Sequence, residues 1–371
     1  MDILCLSSLN VASITNRAHT EPGMNREQRL DAVHAAICRL AQHPAPHELA
    51  DGLSPAMAAA CLGSACGMIS REALDQATRV PGRPPRLAAV VAARGVFTAP
   101  LEWVALLAAA GAAVILKAPA ASSAFGQTVA TVFAEQGLQV RCTTDHALPP
   151  VDALVAMGSD ETIAALTARH ARARLSMHGH RFSLAVVRGS GPSLARALAS
   201  DALLYDGRGC FTPAAVLHLG DPENAHGLAD ALVEALDAVA QTLPPGPRDP
   251  LLGPEWRRRT GLARALGALG HDRPPSAALL DVEHFEAAVL PGFLPVHPVG
   301  DPESLHRLLA PWRPWLAGCA TDLDADAHTM LLDVGFERLC APGALQRPPL
   351  LRTHGGREML RPLMHQVSGE R

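Results

Sequence analysis

Apolar and polar positions alternate along the chain in two regimes. In the first 85 residues the spacing is helical. Leu30, Val33, Ile37 and Leu40 predict an amphipathic helix over 25–42, ended by Pro44 and Pro46. Further helices are predicted over Ser54–Leu62, stopped by Gly63, and over Ser70–Arg79, with a linker at Pro81–Pro85. From Arg86 the pattern changes to short apolar runs: 86–92, 113–116, 138–143, 153–157, 174–177 and 183–187. Helical runs over 101–110, 122–136 and 160–169 separate most of them, with glycine stops at Gly111 and Gly137. Apolar strands alternating with helices predict a parallel sheet covered on both faces. Ligands of such sheets sit beyond the carboxyl ends of the strands. The polar residues at those ends are Thr98, Lys117, Ser159 and the loop at His178.

In the second half, a helical run from about Ser193 to Tyr205 feeds Asp206-Gly207-Arg208-Gly209-Cys210-Phe211-Thr212-Pro213, and an apolar strand over 214–219 leaves it. The glycines allow a tight turn, and Pro213 fixes the exit. A thiol on such a turn could be served by exposed backbone N–H groups, as a thiolate or as the site of an oxyanion. On this segment alone the simpler reading is a small apolar cysteine in a glycine-rich turn. Beyond it, 226–243 predicts an amphipathic helix, 244–254 a proline-rich loop, 255–269 a basic helix whose Arg257-Arg258-Arg259 run reads as a solvated face, and 301–309 a further helix.

Composition narrows the class. With 371 residues, 48% of them apolar, the chain is long enough for two domains. Its net charge is −4 with both signs mixed, and no basic block speaks for nucleic acid. The eight cysteines form no CxxC pair and no zinc-ligand spacing, so no metal site is expected, and the usage suits a reducing cytoplasm. Residues 1–17 lack the basic start of a signal peptide, and the longest apolar stretch, 101–118, is interrupted by Glu102 and Lys117, so no membrane span is expected. Neither GxGxxG nor GxxxxGK[ST] occurs.

Four stretches carry a family resemblance. Gly95-Val96-Phe97-Thr98-Ala99-Pro100, a helix, then Val114-Ile115-Leu116-Lys117-Ala118-Pro119 is similar to a loop–helix–"VVLKPS" block. Met157-Gly158-Ser159-Asp160-Glu161 is similar to "GGxEAI", 179–187 to "GPKxSFAVI", and Tyr205–Pro213 to "FDQxGCxSP". A weaker match is Gly335–Cys340, Pro348-Pro349 and 354–357, like a C-terminal "GxxRI…P…HDG" tail. In this order they resemble the aldehyde dehydrogenase superfamily, and more closely its acyl-CoA reductase branch, over about 86–357.

The resemblance implies an α/β fold. A Rossmann-type parallel-sheet cofactor domain (86–187, with a helical part at 1–85) would precede an α/β catalytic domain (188–345) and a tail (346–371). It implies NAD(P)H-dependent reduction of an acyl thioester, a fatty acyl-CoA, to an aldehyde through an acyl-Cys210 intermediate. Thr98 stands where relatives place the asparagine that donates to the oxyanion. Lys117, the only lysine in the chain, would reach the adenosine ribose or its 2′-phosphate, and Gly158 and Ser159 would open the helix that meets the cofactor. The cofactor implied is NADPH, with NADH the alternative; an arginine near Lys117 would favour the phosphate. Hydrolytic members carry a glutamate base in an "ELGGK" block, which Met177-His178-Gly179-His180 replaces here; His178 could serve instead. Arg208 could lower the thiol pKa or bind coenzyme A phosphates, which the Arg257-Arg258-Arg259 run could also meet, and Glu286 or Ala288 stands nearest to the family's nicotinamide-ribose glutamate. A homo-oligomer is implied. The alternatives are an acyltransferase that passes the group from Cys210 to a partner protein, and a non-catalytic member that keeps only the fold.

Overall fold

The structure, a computed structural model, describes residues 23–247, 249–354 and 356–366; residues 1–17 and Cys5 lie outside them. The chain opens with helices α1 (Arg26–Ala41), α2 (Pro46–Leu49), α3 (Pro55–Gly67) and α4 (Arg71–Ala77). Their starts follow from capping chemistry. Asn25 and Gln28 bond reciprocally around the first turn of α1, and the Ser54 and Ser70 hydroxyls accept from Met57 N–H and Ala73 N–H.

There follow β1 (Leu87–Val91), α5 (Ala99–Ala110), β2 (Ala113–Lys117), α6 (Ala124–Glu135), β3 (Val140–Thr143), β4 (Ala153–Met157), α7 (Asp160–Arg169) and β5 (Arg174–His178). The five strands form one parallel sheet in the order β3-β2-β1-β4-β5. Strand period two divides the side chains between its faces. Ala88, Val90, Val114, Leu116 and Val155 pack with α1, α5 and α6, whereas Ala89, Val91, Ile115, Leu154 and Ala156 pack toward α7. The order reverses at β1, so the crevice between the ends of β1 and β4 is the switch point at which such sheets bind ligands.

A second sheet has the order β11-β10-β6-β7-β9-β8, all parallel. Its strands are β6 (Phe182–Val187), β7 (Pro213–Leu219), β8 (Ser276–Leu279), β9 (Phe293–Val299), β10 (Leu316–Thr321) and β11 (Arg338–Cys340). Between them run α8 (Pro192–Leu203), α9 (Pro222–Thr242), α10 (Gly253–Ala265), α11 (Pro302–Leu309) and α12 (Ala325–Val334). Strand 182–187, assigned from sequence to the cofactor domain, therefore pairs with β7 and β10 in the second sheet. Its six residues are all buried, as a central strand requires. The first sheet thus ends with His178 of β5 and the second begins with Phe182 of β6.

The tail does not stand apart either. A short hairpin, β12 (Thr353–His354) with β13 (Arg357–Glu358), leads to Leu360, Leu363 and Met364, which are buried in the core of the first domain. Arg259 is buried too, not on a solvated face. Its guanidinium donates to Glu255 and to the Ala288 carbonyl at 3.0 Å each.

Candidate active site

The turn before β7 is held in an uncommon backbone conformation. Tyr205 and Asp206 both lie in the left-handed region, at φ 58° and 55°, followed by Gly207 and Gly209 at 68° and 103°. Two consecutive non-glycine residues there are disfavoured by roughly 1–2 kcal/mol each, so their surroundings must hold them. The Tyr205 hydroxyl pairs with Thr98 Oγ1 at 2.7 Å and donates to the Cys61 carbonyl at 3.3 Å. Asp206 Oδ2 accepts from Gly246 N–H at 3.0 Å. A Cβ on Gly209 would stand 2.5 Å from Val96 Cγ2, so only glycine lets the turn close on that loop. Beyond it, the Ser183 hydroxyl donates to the Cys210 carbonyl at 2.7 Å and accepts from Gly318 N–H at 3.0 Å. The thiol's backbone is thereby tied to β6 and β10.

Cys210 is half-buried and opens on a cleft of about 1,210 Å³ between the two sheets. Thr98, Lys117, Gly158, Ser159 and His178 line the same cleft, so all six residues singled out from the sequence are brought together. Lys117 ends β2, and Ser159 caps α7, its hydroxyl accepting from Thr162 N–H. Asp160 and Glu161 also line the cleft in the first turn of α7. That acidic turn suits ribose hydroxyls as acceptors better than it suits phosphates. Of the cations in the cleft wall, Arg181 and Arg352 are ion-paired with Glu337 and Glu102 and Arg338 donates to the Ala344 and Leu345 carbonyls, which leaves Lys117 and Arg94 for phosphate. The donor set thus fits a dinucleotide: carboxylates and a helix start for ribose, two cations for phosphate.

Three sequence expectations change in detail. Thr98 is 4% exposed, and because Tyr205 donates to Cys61, the Thr98 hydroxyl is left to donate to Tyr205, not to an oxyanion. Arg208 is turned from the thiol: it donates to the Asp51 and Gly52 carbonyls and pairs with Asp206 at 3.6 Å. Glu286 is held by Arg258 at 2.6 Å and Arg259 at 3.0 Å, away from any ribose contact, while Ala288 lines the cleft without a carboxylate to offer.

Residues that the sequence reading gave no role complete the site. Arg352 clamps Glu102 with two bonds of 2.6 and 2.8 Å, and Arg181 pairs with Glu337 at 2.7 Å. Glu102 was visible as the lone carboxylate in the apolar run of α5; nothing in the tail marked Arg352. Trp103, His178 and His354 stack beside them, the two imidazoles edge to face with centroids 4.0 Å apart. His178 Nε2 shares a hydrogen bond with Ser176 Oγ at 3.0 Å. Burial first, then the mutual proximity of the imidazoles, pulls His178 down to about 3. His354 is likewise pulled to about 3, by burial and then by Arg352 and Arg181. Burial pushes the Cys210 thiol up; Arg352 and Arg181 oppose the rise and Glu102 adds to it. The resting site therefore holds a neutral thiol beside two neutral imidazoles.

The acyl-CoA reductase (LuxC) family profile matches residues 116–251, a span that includes Lys117, Ser159, His178 and Cys210. The fold is that of the aldehyde dehydrogenases, and the family likeness is to the acyl-CoA reductases. An NAD-dependent benzaldehyde dehydrogenase from Corynebacterium glutamicum is similar at 16% identity, over 85% of this chain and 81% of its own, with a TM-score of 0.69. An oxidoreductase from Marinobacter aquaeolei is similar at 14% identity over 87% and 79%, TM-score 0.72. Succinic semialdehyde dehydrogenase from Streptococcus pyogenes, solved with NADP+, is similar at 11% identity over 92% and 88%, TM-score 0.69. No curated protein sequence matches the chain. No helix among the described residues is long and apolar enough to cross a membrane.

Proposed function

We propose that the chain reduces an acyl thioester, a fatty acyl-CoA, to an aldehyde. The observation that carries this is a thiol on a constrained turn opening on the same cleft as the ends of β2 and β4. Cys210 Sγ bonds the acyl carbon, the coenzyme A sulfur leaves, and the thiol proton passes to it. A bound reduced nicotinamide supplies the hydride for the acyl-Cys210 carbonyl. The carbon–sulfur bond to Cys210 then breaks, the aldehyde departs, and the thiolate takes a proton from solvent. Lys117 and Arg94 would hold the cofactor phosphates, with Gly158 and Ser159 at the helix start facing its ribose. An arginine, Arg94, in the same cleft wall as Lys117 favours NADPH over NADH.

Hydrolysis of the acyl-enzyme is disfavoured by the same site. The Met177–His180 block, which the resemblance sets against the glutamate base of hydrolytic members, holds no carboxylate, and at a pKa of about 3 the His178 imidazole accepts a proton from water poorly. The Glu102 carboxylate is occupied by Arg352.

Intact-mass spectrometry after incubation with palmitoyl-CoA tests the reading. The expected result is a gain of one acyl group that requires Cys210 and disappears on adding NADPH. Acylation that survives both nicotinamides would instead point to transfer to a partner protein. Absence of acylation at every chain length tried would leave the fold without this chemistry.

A further inference from the structure

Acyl transfer to Cys210 moves an electron pair onto the substrate carbonyl oxygen, and that oxygen needs donors. The Cys210 N–H is one candidate. The threonine in the family's asparagine position is not a second, because its hydroxyl is spent on Tyr205. We propose that His354 supplies the missing donor: an imidazole N–H, carried into the cleft by the β12–β13 hairpin, binds the acyl oxygen as it becomes negative. This rests on the thioester-reducing reading and adds to it a substrate-contacting residue from the far end of the chain.

Four observations support the assignment. His354 lines the cleft, and its ring centroid is 6.4 Å from that of Phe211, the residue after the nucleophile. Of its two ring nitrogens, Nδ1 is the one buried without a hydrogen-bond partner among the described residues. Buried N–H groups are left without a partner more rarely than acceptors are, which places the proton on Nε2 and the lone pair on Nδ1. The ring is also held in place. Its edge-to-face partner His178 is bonded to Ser176, and two residues before it Arg352 is clamped to Glu102 of α5. Finally, burial and the neighbouring Arg352 and Arg181 keep His354 neutral throughout the physiological range. A neutral imidazole donates without giving its proton away, the role a side-chain amide would otherwise play.

The role separates electrophiles that form an oxyanion from those that do not. Wild type, His354→Ala and His354→Gln would be treated with palmitoyl-CoA and, separately, with iodoacetamide, and Cys210 modification followed by mass. Iodoacetamide alkylates the thiol at saturated carbon and builds no oxyanion. His354→Ala is expected to slow acylation by about 100-fold or more while iodoacetamide alkylation stays within about twofold, and His354→Gln, which restores an N–H, to recover part of the loss. Acylation of His354→Ala at the wild-type rate would overturn the proposal. So would an equal slowing toward both reagents, which would place the effect on the thiol or the fold. If the wild type itself is not acylated, the reductase reading falls and this one with it; that failure shows in the wild type, before any variant is compared.

Discussion

At the scale of single residues, the chemistry depends on which polar groups are already spent. Thr98, Arg208 and Glu286 are each the residue type that the chemistry would use, and each is bound to something else. The sequence shows the residue type but not the partner, because Tyr205, Asp51 and Arg258 are brought to them only by the fold. Cys210, Lys117 and the Gly158-Ser159 helix start were legible because strand ends and a glycine-rich turn are local patterns. His354 falls in the weakly matching tail stretch at 354–357, but its place in the cleft near Phe211 comes from the β12–β13 hairpin, far along the chain from Cys210. Thr98→Val tests the first of these assignments. It removes the donor to a buried tyrosine hydroxyl and should cost about 1–3 kcal/mol of stability, read as a lower denaturation midpoint. Because the hydroxyl does not serve the oxyanion, the Cys210 acylation rate should change little; a fall as large as that expected for His354→Ala would return Thr98 to the oxyanion.

At the scale of elements, the strands of the first sheet matched their predicted ranges closely, since apolar runs bounded by glycine, proline and polar residues mark them. The same runs could not show that 182–187 crosses to the second sheet. A fully buried strand reads alike in either sheet. The turn 205–210 is the element on which the site depends most. Gly209 is its least replaceable position, with φ at 103° and Val96 standing where a Cβ would go. Gly209→Ala should destabilise the fold by roughly 1–3 kcal/mol and displace the thiol next to it. Alkylation of Cys210 by iodoacetamide, compared between Gly209→Ala and wild type under folded conditions, should change along with the melting temperature. A variant matching the wild type in both would show that the turn tolerates a side chain.

At the scale of the whole molecule, two parallel sheets face one cleft, and the C-terminal tail returns to the first domain after placing Arg352 and His354 in the site. This has a consequence for pH. His178 and His354 have folded-state values of about 3, against about 6.5 when unfolded. The unfolded chain therefore binds more protons below pH 6.5. The stability from keeping these rings neutral is present above that pH and is lost as pH falls from 6.5 toward 3, by up to about 1.4 kcal/mol per pH unit for each ring. Asp201, raised to about 6 by burial, acts in the opposite sense over roughly pH 4–6 and offsets part of one ring's effect. Denaturant midpoints measured from pH 7 to pH 4 should fall, and His354→Gln should flatten that fall. A midpoint that does not change with pH would contradict the buried neutral pair.

Whether Cys210 carries an acyl group that reduced nicotinamide removes as aldehyde is decided by intact-mass spectrometry of wild type and Cys210→Ala after palmitoyl-CoA, with and without NADPH. One added acyl group is expected on the wild type and none on Cys210→Ala, with loss of that group as aldehyde when NADPH is present. An acyl group that persists with either nicotinamide, or that appears equally on Cys210→Ala, would contradict that expectation.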